Sequence, residues 1–334
     1  MKKLIILFSA LLAVLSAGCY SGSKKPMSQT AFMLDTVSTI TVYDYSGNED
    51  INTIINNCFA LCSEYEKKLS RTIDTSEITK INTSKGEPTE ISADTAQLIS
   101  LALDFSEISG GKFDITIDPV SSLWDFKADS PAPPSDKEIK AALEHVGYGN
   151  IELNGTSIKL SDPNSALDLG GIAKGFIGDK AKEFLLENGV KEAMISLGGN
   201  ILIICPENRD FKIGVQKPFG MDGQLIGAIV TSGNSIVTSG IYQRYFEYNG
   251  KLYHHILDTS TGYPVDNGLA SVTITGPSSA VCDALSTTVF CLGADDGLDL
   301  INSIDGYEAI IITKENKTVY SDGINKSVTF LTNS

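Results

Sequence analysis

Apolar residues follow two different spacings along this chain. In five segments they recur every three or four positions, which is typical of the buried face of a helix. These predicted helices cover residues 51–69, 95–108, 136–145, 172–188 and 279–292. In other segments apolar and polar residues alternate, or β-branched residues dominate, between turns rich in Gly, Asn and Pro. The predicted strands cover residues 32–43, 151–160, 193–205, 211–217, 224–231, 245–258, 270–275, 309–313 and 328–331. Helices and strands are partly segregated and no repeat is present, so the sequence predicts the α+β (mixed α/β) class.

The N-terminus has a pattern of its own. Two lysines precede an apolar run at residues 4–15, which is too short to span a bilayer and has the length of a signal-peptide core. The run ends in Leu-Ser-Ala-Gly-Cys, which is typical of bacterial lipoproteins; the alternative is a plain secretory signal followed by a chance cysteine. We therefore expect a signal peptide at residues 1–18, lipidation of Cys19, and a polar tether at residues 19–30. The protein is then expected outside the cytoplasm, lipid-anchored to a bacterial membrane.

Length and charge limit what the rest of the chain can do. Residues 31–334 are enough for one large domain or two intimate lobes. The sequence has 41 acidic and 26 basic residues, a formal charge of −15, and loss of the two lysines in residues 1–18 leaves −17. Such a chain repels nucleic acid, and no basic stripe offsets this, so we expect no nucleic-acid partner. A phosphate site would need a local cation.

The stretch "DLGGIAKGF", residues 168–176, contains three glycines and a lysine just before a predicted helix. Gly170 and Gly171 can present backbone N–H groups to an anion beside the positive end of the helix dipole. Lys174 would supply the local cation. The alternative is a tight turn whose glycines serve packing alone, and "SLGGN" at residues 196–200 has the same ambiguity.

The predicted helix at residues 279–292 carries polar groups on one face. Asp283 and Thr287 are four residues apart, with Ser286 between them, and the opposite positions are apolar. Oxygen ligands from Asp and Thr suit Mg²⁺, which shares its coordination with substrate phosphates. The alternative is a carboxylate that answers the helix dipole, with Thr287 in a packed interface.

Two further segments contain side chains of chemical interest. "YHHILDTSTGYP", residues 253–264, holds two adjacent histidines, and only one of them can face a given site because side chains alternate along a strand. Either could be structural, or one could accept a proton. Trp124, the only tryptophan, belongs either to the core or to a stacking platform for a flat aromatic ligand.

Taken together, these motifs resemble those of the ApbE flavin transferases. "FDITIDPVSSLWDF", "DLGGIAKGF", "SLGGN", "TSGIYQRYF", "HILDTSTGYP" and "DALSTTVF" occur in the same order as in that family, and "FMLDT" and "LSRTIDTSEITKIN" also fit. The resemblance extends over residues 32–312. It implies a two-lobed ApbE-like domain that binds FAD and Mg²⁺, transfers the FMN half to a threonine or serine hydroxyl of another protein, and releases AMP. The expected acceptor is an exported or membrane redox protein.

The resemblance also implies roles for particular residues. Those expected to contact FAD are Leu34, Asp35, Thr36, Trp124, Asp168, Gly170, Gly171, Lys174, Thr238, Ser239, Gly240, His255 and Asp258. Mg²⁺ is expected on Asp283 and Thr287 and on backbone carbonyls such as those of Ala173 and Ser286. The catalytic residues are expected to be His255, Asp283 and Thr287, and either His255 or Asp283 is the base.

One segment departs from the family pattern. Where many members have Ser-Thr-Tyr-Asp-Pro, this chain has Ser-Arg-Thr-Ile-Asp, so Thr72 replaces the aromatic residue. An FAD pyrophosphatase with water as acceptor is therefore one alternative function. A second is a flavin-binding lipoprotein without catalysis, against which the intact Asp283, Thr287 and His255 argue.

Overall fold

The computed structural model describes residues 25–206, 209–221 and 223–332. The predicted signal peptide and Cys19 lie outside these residues. Within them, no helix combines the length and the apolar character needed to cross a membrane.

The described residues contain eight α-helices and sixteen strands. The helices are α1 (Ile51–Leu69), α2 (Glu77–Thr83), α3 (Ala93–Ile108), α4 (Asp118–Ser121), α5 (Asp136–Leu143), α6 (Ala173–Glu187), α7 (Ser279–Leu292) and α8 (Ala294–Asn302). The first eight strands are β1 (Met27–Met33), β2 (Thr36–Tyr45), β3 (Thr89–Glu90), β4 (Ile151–Asn154), β5 (Ser157–Leu160), β6 (Val190–Leu197), β7 (Asn200–Ile204) and β8 (Phe211–Gln216). The others are β9 (Leu225–Thr231), β10 (Ser235–Gly240), β11 (Tyr245–Tyr248), β12 (Lys251–His254), β13 (Leu269–Gly276), β14 (Glu308–Thr313), β15 (Thr318–Tyr320) and β16 (Thr329–Thr332).

The centre of the fold is an antiparallel sheet of eight strands in the order β1-β2-β6-β7-β10-β13-β14-β15. Both of its faces are buried. On β7, for example, Leu202 packs into the larger apolar cluster with the helices, and its neighbours Ile201 and Ile203 pack into a second cluster. Phe211 and Phe330, from the small sheet β16-β9-β8, belong to that second cluster. Because side chains alternate along a strand, each inner strand contributes to both cores.

Two smaller sheets and a third apolar cluster complete the structure. The small sheets are β11-β12 and β3-β5-β4. The third cluster is formed around Val120, Trp124, Ile139, Phe246 and Leu257. The predicted mixed α and β class is therefore confirmed.

The five predicted helices are all present within two residues of their predicted bounds. Local chemistry explains their ends. The Asp50 carboxylate accepts a hydrogen bond from Thr53 N at the start of α1, and Ser92 and Ser135 cap α3 and α5 in the same way. The short helices α2, α4 and α8 and strand β10 were not predicted.

Several predicted single strands are hairpins. Residues 32–43 contain the turn between β1 and β2, where Leu34 and Asp35 both have positive φ (54° and 58°). Two such residues form the hairpin turn that fits the strand twist, but the usual Asn-Gly signal is missing here. The predicted strands 151–160, 193–205 and 245–258 also contain turns.

The N-terminal boundary also differs from the prediction. Strand β1 begins at Met27, so residues 27–30 of the predicted tether belong to the main sheet. The pairing of β1 with β2 accounts for this, because Met27 lies opposite Val42 and Ser28 lies opposite Thr41.

Helices α6 and α7 pack with their backbones almost in contact. A Cβ atom on Gly175 would lie 2.2 Å from the Ser279 carbonyl oxygen and 2.8 Å from Ala280 Cα. Only glycine fits at this distance. The Asp179 carboxylate, one turn further along α6, accepts hydrogen bonds from Ser279 N and Ala280 N at 2.8 and 2.9 Å. Helix α6 thus caps the N-terminus of α7 and fixes its position.

We expect Gly175→Ala to lower the free energy of unfolding by at least ~2 kcal/mol, because the methyl group would push two backbones apart. Urea unfolding measures this. The control is Gly149→Ala, since a Cβ there would meet nothing within 4 Å. Equal stability of the two variants would contradict the packing argument.

Candidate functional site

The polar residues of α7 meet β10 and the start of α6. Ser239 Oγ lies 2.8 Å from Ser286 Oγ and 3.4 Å from Thr287 Oγ1. Ser286 Oγ also donates to the Asp283 carbonyl at 2.9 Å. Gly175 N donates to Asp283 Oδ2 at 2.8 Å, so the first turn of α6 points a backbone N–H at this carboxylate. The structure therefore brings predicted residues from three separate elements together.

The Asp283 carboxyl is buried, with 4% of the residue exposed. Burial raises its pKa, and the charge of Lys174 and the hydrogen bond from Gly175 lower it. A carboxylate in this position is stabilised by added positive charge. Asp283 and the hydroxyl of Thr287 are hard oxygen donors, which is the donor type that Mg²⁺ binds. The residues present therefore fit a magnesium ion.

The loop before α6 is braced by an arginine. Asp168 Oδ2 accepts from Ser121 Oγ at 2.9 Å and lies 3.1 Å from Arg71 Nε, while Arg71 Nη1 contacts Asp118 Oδ1 at 2.8 Å. Asp168 Oδ1 accepts from Gly170 N at 2.8 Å. The Gly170 N–H, which we had expected to be available to an anion, is therefore occupied by Asp168.

Gly171 leaves space beside the polar residues of α7. A Cβ atom on it would lie 3.1 Å from the Phe113 ring and 3.5 Å from Thr287 Oγ1. The first residue of the helix, Ala173, follows two positions later, and the preceding Ile172 makes no side-chain cap. The N-terminus of α6 is thus open to an additional partner.

The turn between β6 and β7 joins two other predicted segments. A Cβ atom on Gly198, whose φ is +66°, would lie 2.9 Å from Thr36 Oγ1. A Cβ atom on Gly199 would lie 3.2 Å from the Thr238 carbonyl oxygen. The two glycines therefore permit "LDT" and "TSG" to approach the same turn from opposite sides.

Cations surround His255. Its backbone N donates to the Arg244 carbonyl at 3.2 Å, and its Nδ1 lies 3.2 Å from the same oxygen. Because a carbonyl only accepts, Nδ1 carries the proton and Nε2 keeps its lone pair. Burial, Arg244 and Lys174 lower the pKa of His255 to about 3. The ring is therefore neutral at pH 7, and Lys174 acts electrostatically on both His255 and Asp283.

Arg244 also belongs to an ion cluster at the surface. Its Nη2 lies 3.1 Å from Asp35 Oδ2, and Lys127 Nζ lies 2.6 Å from the same oxygen. The hairpin turn at Leu34 and Asp35 is further held by a hydrogen bond from Leu34 N to Glu66 Oε1 at 2.9 Å. Asp35 is thus connected to His255 through Arg244.

His254 has a structural environment. Its Nε2 donates to the Val265 carbonyl at 3.0 Å and its Nδ1 accepts from Ile256 N at 3.3 Å. The ring packs edge-on against Phe290 at 5.9 Å. Burial lowers its pKa to about 4. Of the two adjacent histidines, His255 is the one beside the other predicted residues.

Trp124 and Asp258 lie in another part of the structure. Trp124 is 4% exposed, packs against Phe126 and Tyr253, and donates from Nε1 to the Gly262 carbonyl at 3.1 Å. This is the core position of the two that the sequence left open, and its contact with flavin stays a prediction. Asp258 accepts from Ser260 N at 2.7 Å and so stabilises the turn that contains Gly262.

Ion pairing and hydrogen bonding also explain the state of Asp258. Burial raises its pKa, but the hydrogen bonds from Ser260 and the charge of Lys112, at 3.3 Å, together hold the pKa below its usual value. Thr72, in contrast, is exposed, and its Oγ1 lies 3.0 Å from Ser70 Oγ.

Sequence reasoning missed three residues that hold the site. Arg71 braces the loop of Asp168, Asp179 caps α7, and Gly175 permits the close helix contact. A signal existed for the glycine, because Gly175 and Gly178 share a helix face, as small residues do at close helix contacts. No local pattern predicts that Arg71 and Asp179 bind partners 97 and 100 residues away.

Comparisons with known proteins agree with this geometry. Residues 34–311 match the ApbE family. An FAD:protein FMN transferase of Klebsiella pneumoniae (strain 342) is 35% identical over 287 residues, which cover 85% of this chain and 89% of the relative. One of Treponema pallidum (strain Nichols) is 30% identical over 316 residues, 89% of this chain and 87% of the relative.

Solved structures give the same result for the fold. An ApbE protein of Thermotoga maritima is 32% identical and matches with a TM-score of 0.82, covering 89% of this chain and 97% of its own. The flavin transferase ApbE from Vibrio cholerae, 24% identical, has a TM-score of 0.79 over 90% of this chain and 98% of its own, and shows a common fold.

The neutral His254 predicts how stability depends on pH. Its folded pKa of about 4 lies below the unfolded value of 6.5, so the unfolded chain binds the extra proton and stability falls as pH drops from 6.5 towards 4. We expect wild type to lose about 1–2 kcal/mol more than His254→Asn between pH 7 and pH 5. Urea unfolding at both pH values measures the difference, and parallel losses would contradict it.

Proposed function

Because the chain belongs to the ApbE family, we propose that it is an FAD:protein FMN transferase that acts on exported or membrane flavoproteins. It joins the FMN half of FAD to a threonine or serine hydroxyl of the acceptor, depends on Mg²⁺, and releases AMP. The observation that carries the proposal is the buried Asp283, which lies beside Gly175 N and on one helix with Ser286 and Thr287.

The reaction exchanges one phosphorus–oxygen bond for another. The acceptor oxygen forms a bond to the phosphorus of the FMN half, the bond from that phosphorus to the bridging oxygen breaks, and AMP leaves with that oxygen. The acceptor hydroxyl gives up its proton to a base. Such a transfer needs positioning and charge neutralisation more than covalent help from the protein.

The chain offers a base and two cations for this task. His255 keeps a free lone pair on Nε2, which suits it to accept the hydroxyl proton. Its pKa is lowered by burial, Arg244 and Lys174, and the negative charge of a bound diphosphate would offset both cations and raise it towards the working range. This argument favours His255 over Asp283 as the base. Lys174 and the open N-terminus of α6 would attract the diphosphate.

Asp283 and Thr287, with the backbone oxygens of Ala173 and Ser286, would hold the magnesium ion. When bound, the ion supplies positive charge that stabilises the charge developing on the diphosphate. The glycine at position 171 leaves room for the ligand beside Thr287.

The N-terminal pattern supports a location for this activity. We infer that residues 1–18 are removed and that Cys19 is lipidated, because the apolar run and the Leu-Ser-Ala-Gly-Cys ending fit a lipoprotein signal. The enzyme would then meet its acceptors at the outer face of a bacterial membrane.

We expect Asp283→Ala to lower Mg²⁺-dependent FMN transfer by at least ~100-fold, which corresponds to ~3 kcal/mol of transition-state stabilisation. The measurement is AMP release and the intact mass of the acceptor against Mg²⁺ concentration. Asp296→Ala, an exposed carboxylate on α8, is the control.

Two outcomes would change the proposal. If EDTA and Asp283→Ala both leave turnover intact, the metal site is wrong and Asp283 is a structural residue. If AMP appears and no acceptor gains the mass of FMN, water is the acceptor and the enzyme is an FAD pyrophosphatase.

The lipid anchor has its own test. We expect Cys19→Ala to leave the protein unprocessed or to release it from membranes, since the lipid would have no attachment site. Membrane fractionation and intact mass of the mature protein measure both effects. Unchanged fractionation and normal removal of residues 1–18 would show that Cys19 carries no anchor.

A further inference from the structure

An exposed aromatic residue stands next to the site. Phe219, in the loop between β8 and β9, is 52% exposed, and Met221 in the same loop is 80% exposed. The Phe219 ring packs edge-on against Tyr242 at 6.0 Å and against Tyr245 at 5.5 Å. These contacts hold the ring in place, while about half of the residue stays in contact with water.

The backbone of Phe219 is in a costly conformation. Its φ is 54°, in the left-handed region that bulky side chains rarely adopt. Strained residues of this kind persist where the surrounding structure imposes them, and they cluster at ligand-binding positions. The strain here is spent on an apolar ring that is not buried, so folding alone does not account for it.

Phe219 borders an apolar groove of about 550 Å³, which we call the Phe219 groove. Its apolar lining includes Ile241, Leu252, Val265 and Ala270. Three residues of β12 also line it, and β12 pairs with β11 alone among the described strands. A groove beside an unpaired strand edge suits an extended peptide, which can add main-chain hydrogen bonds to that edge.

The Phe219 groove is continuous with the proposed active site. Strand β12 ends at His254, and the next residue is His255. At the other side, a Cβ atom on Gly240 would lie 2.7 Å from the Tyr242 ring, so Tyr242 connects Phe219 to the end of β10. A protein whose hydroxyl reaches His255 must therefore pass over or beside this groove.

We propose that the Phe219 groove docks the acceptor protein as an extended segment along β12, with an apolar side chain against Phe219. This inference rests on the proposed FMN transfer and names the surface that its protein substrate uses. FAD is a poor occupant, because its diphosphate is anionic and the floor of the groove is apolar. An acceptor segment has both a backbone for the strand edge and side chains for the groove.

The test uses a library of short peptides, each with one central threonine and varied flanking residues, together with FAD and Mg²⁺. Mass spectrometry identifies the peptides that gain FMN. We expect wild type to prefer an apolar residue near the threonine, and Phe219→Ser to lose this preference. For a preferred peptide, KM should rise about tenfold in Phe219→Ser, equivalent to ~1.4 kcal/mol, with the Kd for FAD unchanged.

Two matched variants separate docking from general effects. Phe219→Tyr keeps an aromatic ring and should behave like wild type. Leu186→Ser removes an equally exposed apolar side chain (50%) at the far end of α6, roughly 18 Å along the helix from Lys174. It should leave the peptide preference unchanged.

Each other outcome overturns a stated claim. Unchanged KM and preference in Phe219→Ser, with labelling by wild type, would refute the docking surface and leave the transferase intact. Failure of wild type to label any peptide or protein would refute the proposed function and this inference with it. A dimer that Phe219→Ser dissociates, with unchanged peptide kinetics, would assign the groove to a second copy of the chain.

Discussion

The close contact between α6 and α7 is the constraint on which the site depends. With glycine at position 175, the two backbones approach until Gly175 N can donate to the Asp283 carboxylate. The Asp179 cap then fixes how far along α6 the second helix begins. One helix thus sets the position of the other, and the buried carboxylate receives its hydrogen bond from main chain, which cannot rotate away. Rigid placement of this kind keeps a charged group where a ligand can use it.

Electrostatics at the site run against the charge of the whole protein. The chain has a formal charge of −15 and would repel an anionic dinucleotide at long range. Locally, Lys174 and Arg244 act on His255, and Arg71 lies between Asp118 and Asp168. The cations are thus concentrated where the loops converge. Several already have carboxylate partners, so the loops stay ordered in the absence of ligand.

The sequence predicted helices better than strands, for a physical reason. A helix such as α1 is defined by local spacing and by caps such as Asp50, both visible in a short window. The alternation that marks a strand can continue through a two-residue turn, as at Leu34 and Asp35, so two strands look like one. Long-range partners were hidden entirely. The motifs located Asp283, Thr287 and Ser239, but Arg71 and the Phe219 groove became apparent only when distant segments were in contact.

The start of β1 at Met27 has a consequence for the geometry of the protein at a membrane. Eight peptide units separate Cys19 from Met27, and a fully extended chain advances at most about 3.6 Å per residue. A lipid on Cys19 would therefore hold the edge of the main sheet within roughly 29 Å of the bilayer surface. The domain could rotate on such a leash but could not travel far from the lipid headgroups. Acceptor residues would have to be presented in this thin layer, so the height of a target threonine above the membrane would be a selection criterion in addition to its neighbouring sequence.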